Sequence, residues 1–113
     1  MSFIFKIVGA SEWRAAEAAG VYSGADVDRA DGFIHFSAAK QAEETAAKWF
    51  KGREDLVLVA VEAEALGEAL RWEVSRGGAL FPHLYGPLPM AAVAWSRPLP
   101  LGADGRHIFG HLP

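Results

Sequence analysis

Six consecutive apolar residues, Leu56-Val57-Leu58-Val59-Ala60-Val61, constrain this chain more than any other stretch. A strand with one solvated face alternates apolar and polar side chains. An unbroken branched run therefore predicts a strand covered on both faces, with a layer of structure on each side of its sheet. At 113 residues the chain is long enough to build that as a single domain, residues 1–113, without metal or disulfide staples.

Periodicity and breakers predict the other elements. Phe3 to Val8 is a short apolar strand. Ser11 caps a short helix at Glu12–Ala19, and Gly20 stops it. Val21 to Asp31, with Gly24 and several charges, is a surface loop. Phe33 to Phe36 is a strand, with Phe33 and His35 on one face and Ile34 and Phe36 on the other. Ser37 caps a helix from Ala38 to about Phe50, whose buried stripe is Ala42, Ala46, Trp49 and Phe50. Glu44 and Lys48 form an i,i+4 pair on it. Glu62 to Leu70 is a turn with one or two helical turns. Arg71 to Ser75 is a strand ended by Gly77-Gly78. Met90 to Ser96 is the last strand, broken by Arg97-Pro98-Leu99-Pro100, and about 101–113 is a loosely ordered tail. Five or six strands and two helices, with the helices in the first half, predict an α+β fold and not repeated βαβ units.

Charge narrows the function. The formal charge is −3 and no Lys/Arg cluster occurs, which argues against a protein whose main business is gripping a nucleic-acid backbone. It does not exclude a small phosphate-bearing ligand held by one or two arginines. Without cysteine there are no disulfides, thiolate catalysis or Cys-based metal sites. The N-terminus lacks the pattern of a signal peptide, and no apolar run approaches the roughly 18 residues of a bilayer span. A cytoplasmic protein with no membrane partner is expected. The oligomeric state is open.

The segment Phe81-Pro82-His83-Leu84-Tyr85-Gly86-Pro87-Leu88 concentrates chemistry. Its prolines stiffen it and are expected to keep it out of a central strand. His83 and Tyr85 are two apart and project the same way in extended backbone. They either line a binding site or satisfy backbone groups in a stapled turn. His35 lies in an apolar strand, where unsatisfied ring nitrogens cost about 1–3 kcal/mol. It is either a paired core imidazole or a ligand donor and acid/base group, with Ser37 on its face. Glu73 is either ion-paired to Arg71 or Arg76, or a site carboxylate. His107 and His111 have metal-ligand spacing for a helix, but Gly105 and Gly110 flank them and no metal is assigned. No phosphate loop or nucleophile elbow occurs.

Gly32-Phe33-Ile34-His35-Phe36-Ser37 with Gln41, followed by Trp72-Glu73 and the Phe81–Leu88 segment, resembles in order and spacing the family catalogued as domain-of-unknown-function 952. The likeness runs from Phe5 to about Pro98. That family in turn resembles the ADP-ribosyltransferase-type α+β fold, which implies two packed, split antiparallel sheets with a cleft between them. The resemblance places His35 where many such enzymes have a tyrosine and implies an NAD-like ligand. His35 would bond ribose or base, Tyr85 would stack or donate, and Glu73 would stabilise positive charge on a ribosyl carbon. The first strand departs from that pattern, offering Lys6 and Gly9 in place of Arg or His before Gly-Thr. No glutamate is marked by motif, so Glu73 stands by default.

Three functions follow. The expected one is a small-ligand module with a nucleotide-like cleft, in which His35 and Glu73 are catalytic candidates and Ser37, His83 and Tyr85 contact the ligand. The second is an ADP-ribosyl-class transferase or a relic of one. The third is a structural or partner-binding protein using an exposed surface at Trp72 or Trp95.

Overall fold

The apolar run lies at the centre of the molecule, in the middle strand of a sheet buried on both faces. The computed structural model describes residues 2–113. Its elements are β1 (Phe3–Gly9), α1 (Ala10–Ala19), β2 (Val21–Tyr22), α2 (Asp26–Asp31), β3 (Ile34–His35), α3 (Ala39–Trp49), β4 (Leu56–Glu62), β5 (Leu70–Val74), β6 (Leu80–Leu84), β7 (Leu88–Pro89) and β8 (Val93–Leu99). Short 3₁₀ turns occupy Ala63–Ala69, Arg76–Gly78 and Met90–Ala92. Three antiparallel sheets form, ordered β1-β4-β8, β2-β7 and β3-β6-β5. The protein is a small α+β domain.

Strand alternation divides the core at β4. Leu56, Leu58 and Ala60 face a cluster with Phe5, Ile7, Ala42, Ala46 and Phe109. Val59 and Val61 face the other, with Ile4, Val8, Trp13, Tyr22, Ile34 and Leu84. Helix α3 covers the first face through its alanines, and α1 covers the second through Trp13 and Ala16.

Several expectations are corrected. Val21–Asp31 is not a loop. It holds β2, paired to β7 through Val21 with Pro89 and Tyr22 with Leu88, and then α2. Three helices therefore replace the expected two among the described residues. Helix α2 has no apolar stripe, and its only buried residue is Asp28. The Asp28 carboxylate accepts the Ala25 N–H at 2.7 Å and so starts the helix. Neither serine caps its helix. Gly9 precedes α1, while Gln41 Oε1 takes the Ala38 N–H at 2.8 Å to start α3. Trp49 leaves the α3 stripe and is 65 % exposed, and Glu44 reaches Arg76 at 3.3 Å.

The prolines behave differently from expectation. Pro82 sits in β6, the middle strand of its sheet. Its carbonyl accepts from Phe36 N at 2.9 Å, so its donorless nitrogen faces the same way, beyond His35 where β3 ends. The missing donor thus costs one bond, to Phe36, at the point where that ladder ends. Pro98 does not break β8, which runs to Leu99 as an edge strand with Pro98 opposite Val57. Beyond it, Leu101 pairs with His107 and Phe109 is buried in the α3-side cluster. Among the described residues no helix is long and apolar enough to cross a membrane.

Gly24 has φ +100°, and a Cβ there would lie 2.8 Å from Asp28 Cβ. Gly24→Ala should therefore destabilise the fold by about 1–3 kcal/mol in urea unfolding. An unchanged midpoint would contradict this close approach.

Candidate functional site

Register brings the two histidines together. In β3 and β6, Ile34 lies opposite Leu84 and His35 opposite His83. On the other edge of β6, Arg71 lies opposite His83 and Glu73 opposite Phe81. Period-two alternation then places His35, His83, Arg71 and Glu73 on one face. The ring centroids of His35 and His83 are 5.5 Å apart. Phe33 stacks on His83 at 4.1 Å and lies 4.6 Å from His35 and 5.2 Å from Tyr85.

His83 is buried, and its Nδ1 lies 2.8 Å from Glu73 Oε1. The same oxygen accepts the Tyr85 hydroxyl at 2.7 Å. A carboxylate only accepts, so Nδ1 carries the hydrogen and Nε2 of the neutral ring is an acceptor. Nε2 has no hydrogen-bond partner among the described residues. The bonds from Tyr85 and then His83 hold the Glu73 carboxyl below its ordinary range, and the bond to Glu73 raises the Tyr85 phenol. Tyr85→Phe should shift the Glu73 titration upward, read by side-chain carboxyl NMR. An unmoved titration would mean that the phenol does not hold Glu73.

His35 faces two acids. Its Nδ1 is 2.7 Å from Asp28 Oδ1 and its Nε2 is 2.9 Å from Asp31 Oδ2. Asp28 is buried, and its Oδ2 pairs with Lys6 Nζ at 3.2 Å. It also accepts the His35 backbone N–H at 3.1 Å. Burial pushes the Asp28 carboxyl up. The His35 hydrogen bond, the Lys6 charge and two backbone N–H groups outweigh this and hold it well below the ordinary range. Burial pushes the Lys6 ammonium down, and Asp28 offsets only part of that.

Between α2, α3 and the β3-β6-β5 sheet opens a cavity of about 370 Å³. Phe5, Ile7, Phe36, Phe50 and Phe81 wall it, with Trp49 and Val27 at exposed positions. Lys6, Asp28, Asp31, His35, Ser37, Thr45, Arg76 and His83 supply polar groups. An apolar pocket with a few convergent polar groups is the usual form of a small-ligand site. Of the residues singled out in the sequence, His35, Ser37 and His83 line it. Glu73 and Tyr85 stand behind His83 and reach it only through that ring. Ser37 Oγ does not meet His35 but bonds Thr45 Oγ1 at 3.0 Å.

Lys6, Asp28, Asp31, Phe33, Thr45 and Arg76 belong to this neighbourhood and were not selected from sequence as site residues. A lysine alone in an apolar strand was a usable signal for Lys6. Asp28 and Asp31 gave none without α2, which puts them one turn apart. His107 and His111 are not on a helix, and His107 Nε2 donates to Arg53 O at 2.8 Å. Among the described residues no three His, Cys, Asp or Glu side chains are placed to hold a metal. On the sheet face opposite His83, Trp72, Val74 and Leu80 are 46 %, 70 % and 52 % exposed. Trp95 is partly covered, with Phe5 at 6.1 Å and the Arg97 guanidinium at 4.5 Å.

The family model described as "Protein of unknown function (DUF952)" matches residues 7–96. Solved structures of protein CC0527 from Caulobacter crescentus match along nearly the whole chain. The crystal structure is 58 % identical, covers 96 % of each chain and superposes with a TM-score of 0.93. The solution NMR structure is 59 % identical, covers 94 % of this chain and 91 % of that one, and has a TM-score of 0.85. No curated protein matches.

Proposed function

We propose, for a chain that belongs to the DUF952 family of proteins of unknown function, that the cavity beside His83 binds a small nucleotide-like ligand. One observation carries this reading. His83 Nδ1 donates to the Glu73 carboxylate that Tyr85 also holds, which leaves Nε2 without a partner among the described residues, and the ring lines an apolar-walled cavity of about 370 Å³. The aromatic wall suits a flat ring, and Nε2 suits a donating hydroxyl such as that of a ribose. Ser37, Thr45 and Asp31 supply further polar contacts.

The test is an NMR titration with NAD, ADP-ribose and simple nucleotides. The reporters are His35, His83 and the Trp49 indole, because Trp72 lies on the opposite sheet face. Saturable shifts confined to these residues are expected. No shift at millimolar ligand overturns the nucleotide reading.

A second reading, ADP-ribosyl-class transfer, needs a carboxylate beside the ribosyl carbon as nicotinamide departs. Glu73 is turned to His83 and Tyr85, so the carboxylates that support this reading are Asp28 and Asp31, which line the cavity. Nicotinamide release from NAD supports it, and NAD binding without release removes it. A partner-binding role draws on the Trp72, Val74 and Leu80 strip beside the free edge of β5, which a second copy would cover. Sedimentation as a monomer across a wide concentration range removes that role.

A further inference from the structure

We infer that Arg76 forms an oxyanion subsite in the cavity, taking the phosphate end of its ligand in place of the Glu44 carboxylate. This rests on the reading of the cavity as a ligand site and adds the charge class of the ligand. Arg76 opens the 3₁₀ turn after β5, and its side chain is only 17 % exposed. Its guanidinium carbon lies 4.8 Å from the Phe81 ring centroid, and Nη2 donates to Thr45 Oγ1 at 3.1 Å. A ring and a hydroxyl orient the fork without neutralising it.

The Nε–H is the unfilled place. Nε is buried and makes no hydrogen bond among the described residues. Glu44 Oε1 lies 3.3 Å away, but out of line with the N–H, and the Glu44 side chain is 73 % exposed. An exposed carboxylate gains little from such a pair, since solvent screens it and its side chain loses rotamer freedom. A buried donor left unpaired is costly, whereas a charge-assisted bond to an oxyanion is among the strongest hydrogen bonds available. A phosphate oxygen aligned with Nε–H completes the fork that Glu44 leaves incomplete. The aromatic walls beside it exclude water and strengthen the attraction.

The test titrates the ¹⁵N-labelled protein with inorganic pyrophosphate, AMP and adenosine while following the Arg76 Nε–H resonance. Pyrophosphate and AMP are expected to shift that resonance saturably, and AMP to bind about tenfold or more tighter than adenosine. Arg76→Gln should remove the pyrophosphate response and the preference for AMP. Arg76→Lys, which keeps the charge but not the fork, should lose most of both. Glu44→Gln, a surface change, should tighten pyrophosphate binding severalfold by removing the competing carboxylate. Backbone amide spectra establish that each variant is folded.

Equal binding of AMP and adenosine overturns the subsite and leaves the ligand reading standing. Pyrophosphate binding with no response to either nucleoside ligand supports the subsite and removes the nucleotide reading. An Arg76 resonance unmoved by pyrophosphate, or an affinity unchanged in Arg76→Gln, overturns the subsite outright. So does Glu44→Gln with weaker pyrophosphate binding.

Discussion

Asp28→Ala should destabilise the fold by about 3–5 kcal/mol. The carboxylate is 2 % exposed and meets Lys6 Nζ, His35 Nδ1 and the backbone N–H groups of Ala25 and His35. Removing it leaves the Lys6 ammonium in a nearly buried position with only the His35 carbonyl, at 2.9 Å, as acceptor. It also takes away the group that starts α2, so His35 loses Asp28 directly and Asp31 through the helix. Urea unfolding checks the value, and a loss below about 1 kcal/mol would mean that Lys6 and His35 find other partners. The same group sets an acid limb. Its folded carboxyl titrates below the ordinary range, so its stabilisation is complete above the unfolded value of about 4 and fades as pH falls below it. Wild type should lose stability from about pH 5 downward, and Asp28→Ala should show a shallower loss over that window.

Phe5→Ala should cost about 3–5 kcal/mol and enlarge the cavity in the same step. Phe5 is 1 % exposed, packs in the α3-side cluster, and lies 6.1 Å from the Trp95 ring. Its backbone exchanges two hydrogen bonds of 2.8 Å with Ser37, which ties β1 to the segment carrying His35. Those bonds survive truncation, so the loss isolates the side chain. The ring also walls the cavity, and alanine opens space beside Ser37 and Thr45. The unfolding midpoint should fall with an unchanged m value. A loss below about 1 kcal/mol would show that α3 collapses into the gap. Phe5→Leu, which keeps most of the volume, should fall between alanine and wild type.

The candidate site was half legible in the chain. His35, His83, Tyr85 and Glu73 stood out because each is a polar group in an apolar or stiffened strand, and such a group needs a partner. The structure gathers His35, His83 and Tyr85 around Phe33 and bonds Glu73 to the last two. It separates them by task, with His83 and His35 on the cavity and Glu73 and Tyr85 behind His83. Ser37 lies on the cavity, but its hydroxyl finds Thr45 and not the His35 expected from the sequence. Asp28 and Asp31 were illegible for a simple reason. A six-residue helix whose only buried member is a carboxylate carries no hydrophobic period. Pro82 and Pro98 misled because proline removes one donor and leaves its acceptor: the Pro82 carbonyl still bonds Phe36 N just past the end of β3, and Pro98 lies on an edge strand.

The sequence by itself determined the local terms. The unbroken Leu56–Val61 run demanded a doubly covered strand, alanines at helical spacing built α3, and Gly20 ended α1 in a left-handed turn. These depend on side-chain volume, period and backbone freedom, which neighbouring residues decide. Only the tertiary structure decided which strands are neighbours. That choice set His35 opposite His83, turned Glu73 toward its ring, and brought Arg76 over Phe81 from a turn more than 30 residues beyond Thr45. Register between distant strands follows from the whole core closing at once, because a slip of one residue would turn every buried side chain of β6 to the other face.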